Sequence, residues 1–209
     1  MNIPLMGLDV KGVHVWRGDR HVLKGVSLQA FPGETLHIRG ANGSGKTTLL
    51  RVACGLLRPE QGTVSWQGQS IYDDRGAYQA AMSYASHEPA LKGDLTALEN
   101  LRFIVALKRH SSDAELLAHL ARVGVDNCAN LPARVLSAGQ RRRVSMARVL
   151  ATGAALWLLD EPFTNLDVRG SDLMRELLDQ HVAAGGLALI VAHHELGLAR
   201  IGRQLELGA

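Results

Sequence analysis

Gly40-Ala41-Asn42-Gly43-Ser44-Gly45-Lys46-Thr47 is the stretch on which the reading of this chain turns. It fits the pattern GxxxxGK[ST] and follows a short apolar segment, Thr35–Gly40, that reads as a strand; residues 46–57 after it read as a helix. Glycines let such a loop curl until successive backbone N–H groups point inward and hold phosphate oxygens. A helix starting there turns its positive end toward the same anion. Lys46 adds a full charge between phosphates, the Thr47 hydroxyl suits a Mg²⁺ ion, and Thr48 completes the nucleotide-binding set. A chance glycine-rich turn would not come with both flanks.

A second site matches the first. Residues 155–159 are continuously apolar and run into Asp160-Glu161. An acid at the carboxyl end of a buried parallel strand lies where ligands bind in such sheets. Asp160 is therefore expected in the Mg²⁺ shell, and Glu161 is expected to polarise an attacking water. The plainer alternative makes both acids turn residues before Pro162, and the phosphate loop weighs against it. Together the two stretches indicate a nucleoside triphosphatase, with ATP and Mg²⁺ as its ligands.

Working outward, residues 7–16 and 22–31 alternate like strands across the turn-rich 17–20, and 62–67 and 80–86 read as further strands. From 95 to 123 the apolar period becomes helical, and 137–150 reads as another helix. Val168–Ala183 is expected to be a helix before a last buried strand, Leu187–Val191. Strand–helix–strand alternation at both ends means a parallel α/β core, with the helical middle inserted as a lobe. The expected organisation is one domain over 1–209 with that lobe at about 90–150.

Composition excludes several classes. Of 209 residues, 46% are hydrophobic and 21% charged, as in ordinary folded proteins, while 4% aromatics leave an aliphatic core. A net charge of +3 does not make a nucleic-acid binder, and no nucleic-acid partner is expected. Cys54 and Cys128 show no metal-ligand spacing and read as reduced core thiols. Residues 1–10 lack a secretory start, and no apolar run approaches the ~20 residues of a spanning helix.

Leu136-Ser137-Ala138-Gly139-Gln140, followed by Arg141-Arg142-Arg143-Val144, settles the class of triphosphatase. It resembles the LSGGQ signature of the ABC ATPase superfamily, with Ala138 for the first glycine. The resemblance covers essentially the whole chain. It implies an α/β P-loop NTPase of ABC type: a mixed β-sheet core, an N-terminal antiparallel β subdomain and an inserted α-helical subdomain. It also implies that Ser137, Ala138, Gly139 and Gln140 contact the γ-phosphate of ATP held by a second copy, so that the site is completed in a homodimer. Asp167, in Pro162-Phe163-Thr164-Asn165-Leu166-Asp167, would bridge the two copies, and His193 would contact the γ-phosphate. His193-His194-Glu195 has no supporting metal-ligand spacing. The three arginines read as a short basic run beside a phosphate site, with one or more solvated.

Two positions depart from the family pattern. His87 stands where the family places a glutamine that meets the metal; an imidazole can coordinate Mg²⁺ or accept a bond from water but, unlike an amide, can change charge. The position of the adenine-stacking aromatic holds Arg17, with Trp16 one residue earlier, so either Trp16 swings across the base or Arg17 stacks by its guanidinium plane. Within the superfamily the chain is similar to the ATP-binding subunits of the haem exporter of cytochrome c maturation. That similarity rests on the short length, His87 before Pro89, the run 95–101, LSAGQ-x-RRV, and 156–164. It implies integral membrane subunits as partners, a place on the cytoplasmic face of the bacterial inner membrane, and no direct haem binding, since the chain has no CxxCH.

Overall fold

The computed structural model describes residues 7–198 and 202–208. Residues 1–6, part of the start read above as lacking a secretory signal, lie outside the described residues, as do 199–201 and 209. The chain runs β1 (Leu8–Arg17), β2 (Arg20–Ala30), β3 (Thr35–Gly40), α1 (Lys46–Ala53), β4 (Gln61–Trp66), β5 (Gln69–Ser70), α2 (Arg75–Ala81) and β6 (Met82–Ala85). It continues with α3 (Ala97–Ala106), α4 (Asp113–Arg122), α5 (Ala138–Thr152), β7 (Leu156–Asp160), α6 (Val168–Ala183), β8 (Leu187–Val191) and β9 (Arg203–Leu207).

The β structure divides into two sheets. One is antiparallel, in the order β2-β1-β4-β5; its β1–β2 hairpin closes at the pair Arg17↔Arg20. Gly18, at φ 56°, takes the first central position of that two-residue turn, where a left-handed residue keeps the strands in twist. The other sheet has the order β6-β7-β8-β3-β9, and every pairing in it is parallel.

Strand periodicity sorts the core into two halves. Along β7, Leu156 and Leu158 pack with the antiparallel sheet and α1, whereas Trp157 and Leu159 pack with the helices α3 to α6. β8 repeats the pattern, Leu187, Leu189 and Val191 on one side and Ala188 and Ile190 on the other. A strand buried on both faces must be apolar at every position, which is why these segments read as continuous apolar runs. All of them end at the same edge of the sheet, and that edge carries the phosphate loop after β3, Asp160 at the end of β7 and Glu161 after it.

The helical period over residues 95–123 resolves into two helices. α3 opens with a capping box, Thr96 accepting from the Glu99 backbone N–H at 3.1 Å and Glu99 from that of Thr96 at 2.8 Å. α4 starts afresh at Ser112, which accepts from Glu115 N at 3.2 Å. α1 ends at Ala53, short of the expected 57, because Gly55 turns left-handed at φ 72° and Leu56 is 66% exposed. β5, α2 and β9 have no counterpart in the sequence reading.

Candidate functional site

The phosphate loop is shaped by positions that reject a side chain. Gly45 caps α1 at φ 103°, and a Cβ there would lie 2.7 Å from Leu23 Cδ2. Gly40 has φ 141°, and its Cβ would come within 2.7 Å of Ser44 Oγ. Only glycine fits both. Because Gly45 offers α1 no side-chain cap, the helix's first N–H groups are not taken up by the chain that precedes them. Lys46, 7% exposed, donates from Nζ to the carbonyls of Gly40 (2.7 Å) and Ala41 (3.0 Å). The backbone carbonyls thus hold its ammonium at the loop.

A cleft of about 590 Å³ opens over this loop. Asn42, Gly43, Gly45, Lys46, Thr47 and Thr48 line one wall; Asp160, Glu161, His87 and His193 line another. The structure therefore gathers the expected phosphate, metal and water-handling groups in one place. Asp160 is 1% exposed and Glu161 9%, and Asp160 Oδ2 and Glu161 Oε1 are buried without a hydrogen-bond partner. Glu161 sits at φ 52°, held by its N–H to Val191 O at 2.8 Å, and His193 Nε2 lies 3.4 Å from its Oε1. Burying two carboxylates in this way is costly unless a cation or polar ligand answers them, and the cleft meets that need from its open side. The Thr47 hydroxyl and Asp160 carboxylate are oxygen donors that suit a hard divalent ion coordinated in part by substrate oxygens, whereas the His87 imidazole is a softer nitrogen donor. His194 packs edge-on to Phe163 at 5.8 Å, and no cluster of metal-binding side chains appears among the described residues.

The signature residues do not line this cleft. Ser137 and Gln140 form a capping box at the start of α5, Ser137 Oγ accepting from Gln140 N at 3.1 Å and Gln140 Oε1 from Ser137 N at 2.8 Å. A Cβ on Gly139 would fall 2.9 Å from Asn165 O, so the helix start packs tightly on the turn carrying Asp167. Asp167 caps α6 by accepting from Gly170 N at 2.8 Å and is also 2.8 Å from Arg143 Nη2; the Gly170 bond first, then Arg143, lowers its pKa. Of the arginine run, read from sequence as basic with one or more solvated, Arg142 is buried and Arg141 and Arg143 are partly exposed. Arg141 donates to Leu136 O, Arg142 to the carbonyls of Ser86 (2.9 Å) and His87, and Arg143 to Asp167. Arg141 and Arg142 thus bond backbone carbonyls, and Arg143 the Asp167 carboxylate.

Trp16 is not brought to the cleft. It stacks on His21, ring centroids 3.9 Å apart, with His14 beyond, and Arg17 takes the place in the wall. Arg20 and Arg51 also line it, and sequence reasoning missed both. Arg20 Nη2 donates to Gly43 O at 2.8 Å, steadying the loop from the hairpin. The only signal for it was an arginine at a hairpin end, and nothing local says that the hairpin folds over the loop.

Comparison with known proteins agrees with this geometry. Residues 23–164 match the family described as ABC transporter. A cytochrome c biogenesis ATP-binding export protein CcmA from Methylococcus capsulatus is 48% identical over 96% of this chain and 97% of its own length. The protein of the same name from Nitrosococcus oceani is 48% identical over 97% and 92%, and that of Escherichia coli K12 43% over 92% and 91%. Among solved structures, a dimeric ATP-binding cassette in a post-hydrolysis state with ADP and Pi superposes with a TM-score of 0.85 at 27% identity, covering 97% of both chains. An ATP-binding subunit of an ABC transporter gives 0.82 at 26% identity, over 89% of this chain and 79% of that one. With its glycine-shaped loop, buried acid pair and capped signature helix in family order, the chain belongs to the ABC transporter ATP-binding family, alongside the cytochrome c biogenesis ATP-binding export proteins CcmA.

Proposed function

We propose that this ABC ATPase subunit drives haem export or delivery for c-type cytochrome maturation, through separate membrane subunits, with Glu161 as the group that orients the attacking water. The observation that carries the catalytic part is the pair of buried carboxylate oxygens on Asp160 and Glu161 that accept no hydrogen bond, in the same cleft as Lys46. Near-full-length identity of 48% to proteins named for cytochrome c biogenesis supports the branch, and haem is the group attached at CxxCH in such cytochromes.

The residues divide the work. Backbone N–H groups of the loop and the start of α1 bind the phosphates, and Lys46 exchanges its carbonyl partners for phosphate oxygens. Thr47, Asp160 and His87 would hold Mg²⁺, which neutralises charge on the β- and γ-phosphates. Glu161 accepts a hydrogen bond from water and holds it in line with the γ-phosphate, and His193 beside it donates to the same phosphate. Arg17 offers its guanidinium plane to the base. Ser137 to Gln140 complete the site of a second copy, and Asp167 with its exposed neighbour Val168 (78%) lies at that contact. The helical lobe, about 90–150, thereby carries the signature.

No helix among the described residues is long and apolar enough to cross a membrane. A separate cleft of about 200 Å³ between the lobes is lined by Leu56, Met82, Ile104, Lys108 and Arg148, and Phe103 on the adjoining helix α3 and Leu107 at its C-cap stand exposed. It supports docking of a membrane subunit's cytoplasmic helix, which would hold the chain at the cytoplasmic face of the inner membrane.

The test is a pull-down with tagged Glu161→Gln, from detergent-solubilised native membranes in MgATP. Recovery of haem-handling membrane subunits is expected. An unrelated permease would remove haem and keep the transporter, and recovery of ribosomal or DNA-repair proteins alone would overturn the transport role.

A further inference from the structure

Arg142 is the second of the three arginines that follow the signature, and it is 2% exposed. No ion pair among the described residues includes it. Its partners are two backbone carbonyls, Ser86 (2.9 Å from Nη1) and His87, and its Nε is buried with none. Burial lowers its pKa, opposed by the carboxylates of Asp160 and Glu161. Further along α5, Arg148 repeats the device by donating to Ala90 O at 2.6 Å. A buried guanidinium left without acceptors is expensive, so Arg142 is comfortable only while the segment after β6 stays against α5.

We propose that Arg142 is a positioning residue that fastens the His87 segment to the signature end of α5, so that the two move as one body during the nucleotide cycle. α5 is a continuous helix of 15 residues, and Arg142 lies little more than one turn from its cap Ser137. A shift of the cap on meeting the other copy's nucleotide is therefore carried to the His87 carbonyl. His87 itself lines this copy's own cleft. One side chain thus links the end of the chain that serves the partner's ATP to a residue that faces its own. The proposal rests on the dimeric site and on the role of His87 given above.

A double-mutant cycle tests it, with kcat and KM for ATP measured in wild type, Arg142→Met, His87→Ala and the double variant. Arg142→Met is expected to lower kcat at least about five-fold with KM within about two-fold, and to add nothing in the His87→Ala background. Arg142→Lys, which keeps a cationic donor, is expected to recover most of the loss, and Arg142→Gln, which removes the charge, carries the same cycle where the Met variant does not fold. Without ATP, backbone amides of residues 87–91 are expected to exchange at least about ten-fold faster in Arg142→Met than in wild type. Equal fold-losses from Arg142→Met in both backgrounds, or unchanged exchange, would overturn the fastening role while leaving His87 in place. Wild-type turnover in His87→Ala would instead overturn the reading of His87, and the proposal with it.

Discussion

His181 should make the fold sensitive to mild acid. It closes α6 with its ring stacked on Trp157, centroids 3.8 Å apart and 7° from parallel, and Nε2 is 3.3 Å from Leu187 O. Burial pushes its pKa from 6.5 down to about 4, against the smaller upward pull of its backbone partners. A depressed folded pKa contributes stability in full above about pH 6.5 and loses it as pH falls toward 4, because the unfolded chain takes up a proton the folded one refuses. At pH 5 the difference is about 2 kcal/mol, saturating near 3 kcal/mol below pH 4. The assay is urea unfolding at about pH 7 and about pH 5, in wild type and in His181→Phe, which keeps a ring on Trp157. Other groups, among them buried His37, whose pKa burial also lowers, act alike in both proteins and cancel. The variant should lose about 2 kcal/mol less than wild type between the two pH values. Equal losses would refute the reasoning.

Gly186→Ala should destabilise by about 1–3 kcal/mol, since its Cβ would enter the His181 ring. Adding His181→Ala should make the pair cost less than the sum, read by the same unfolding assay. Gly45→Ala should weaken ATP binding at least about ten-fold by calorimetry, because φ 103° and Leu23 at 2.7 Å both oppose a side chain where the loop meets α1.

Some features were legible because short segments contain their own reason. The loop from Gly40 to Thr47 needs glycines wherever the backbone curls, and β7 needs an apolar residue at every position before Asp160. The start of α5 was read at residue 137, where the structure shows Ser137 and Gln140 as a capping box. β9 was not legible: its five residues are mostly exposed and polar, and only pairing with β3, about 165 residues earlier, makes them a strand. α2 left one local mark, Asp74 accepting from Ala77 N at 2.9 Å, but seven residues with Tyr78 alone buried give no helical period. The site divides the same way. Lys46, Asp160 and Glu161 follow from spacing, whereas Arg20 on Gly43 and Arg142 on Ser86 and His87 join segments 23 and about 56 residues apart. The choice between Trp16 and Arg17 was open for a similar reason: across the hairpin Trp16 has His21 as a stacking partner.

The central claim, that ATP is hydrolysed in this cleft by water held on Glu161, is tested most directly by phosphate release from Glu161→Gln at saturating MgATP, beside wild type. The substitution keeps the shape of a side chain that is 9% exposed and removes its charge. The account predicts turnover at least about 100-fold below wild type. Turnover comparable to wild type would contradict it.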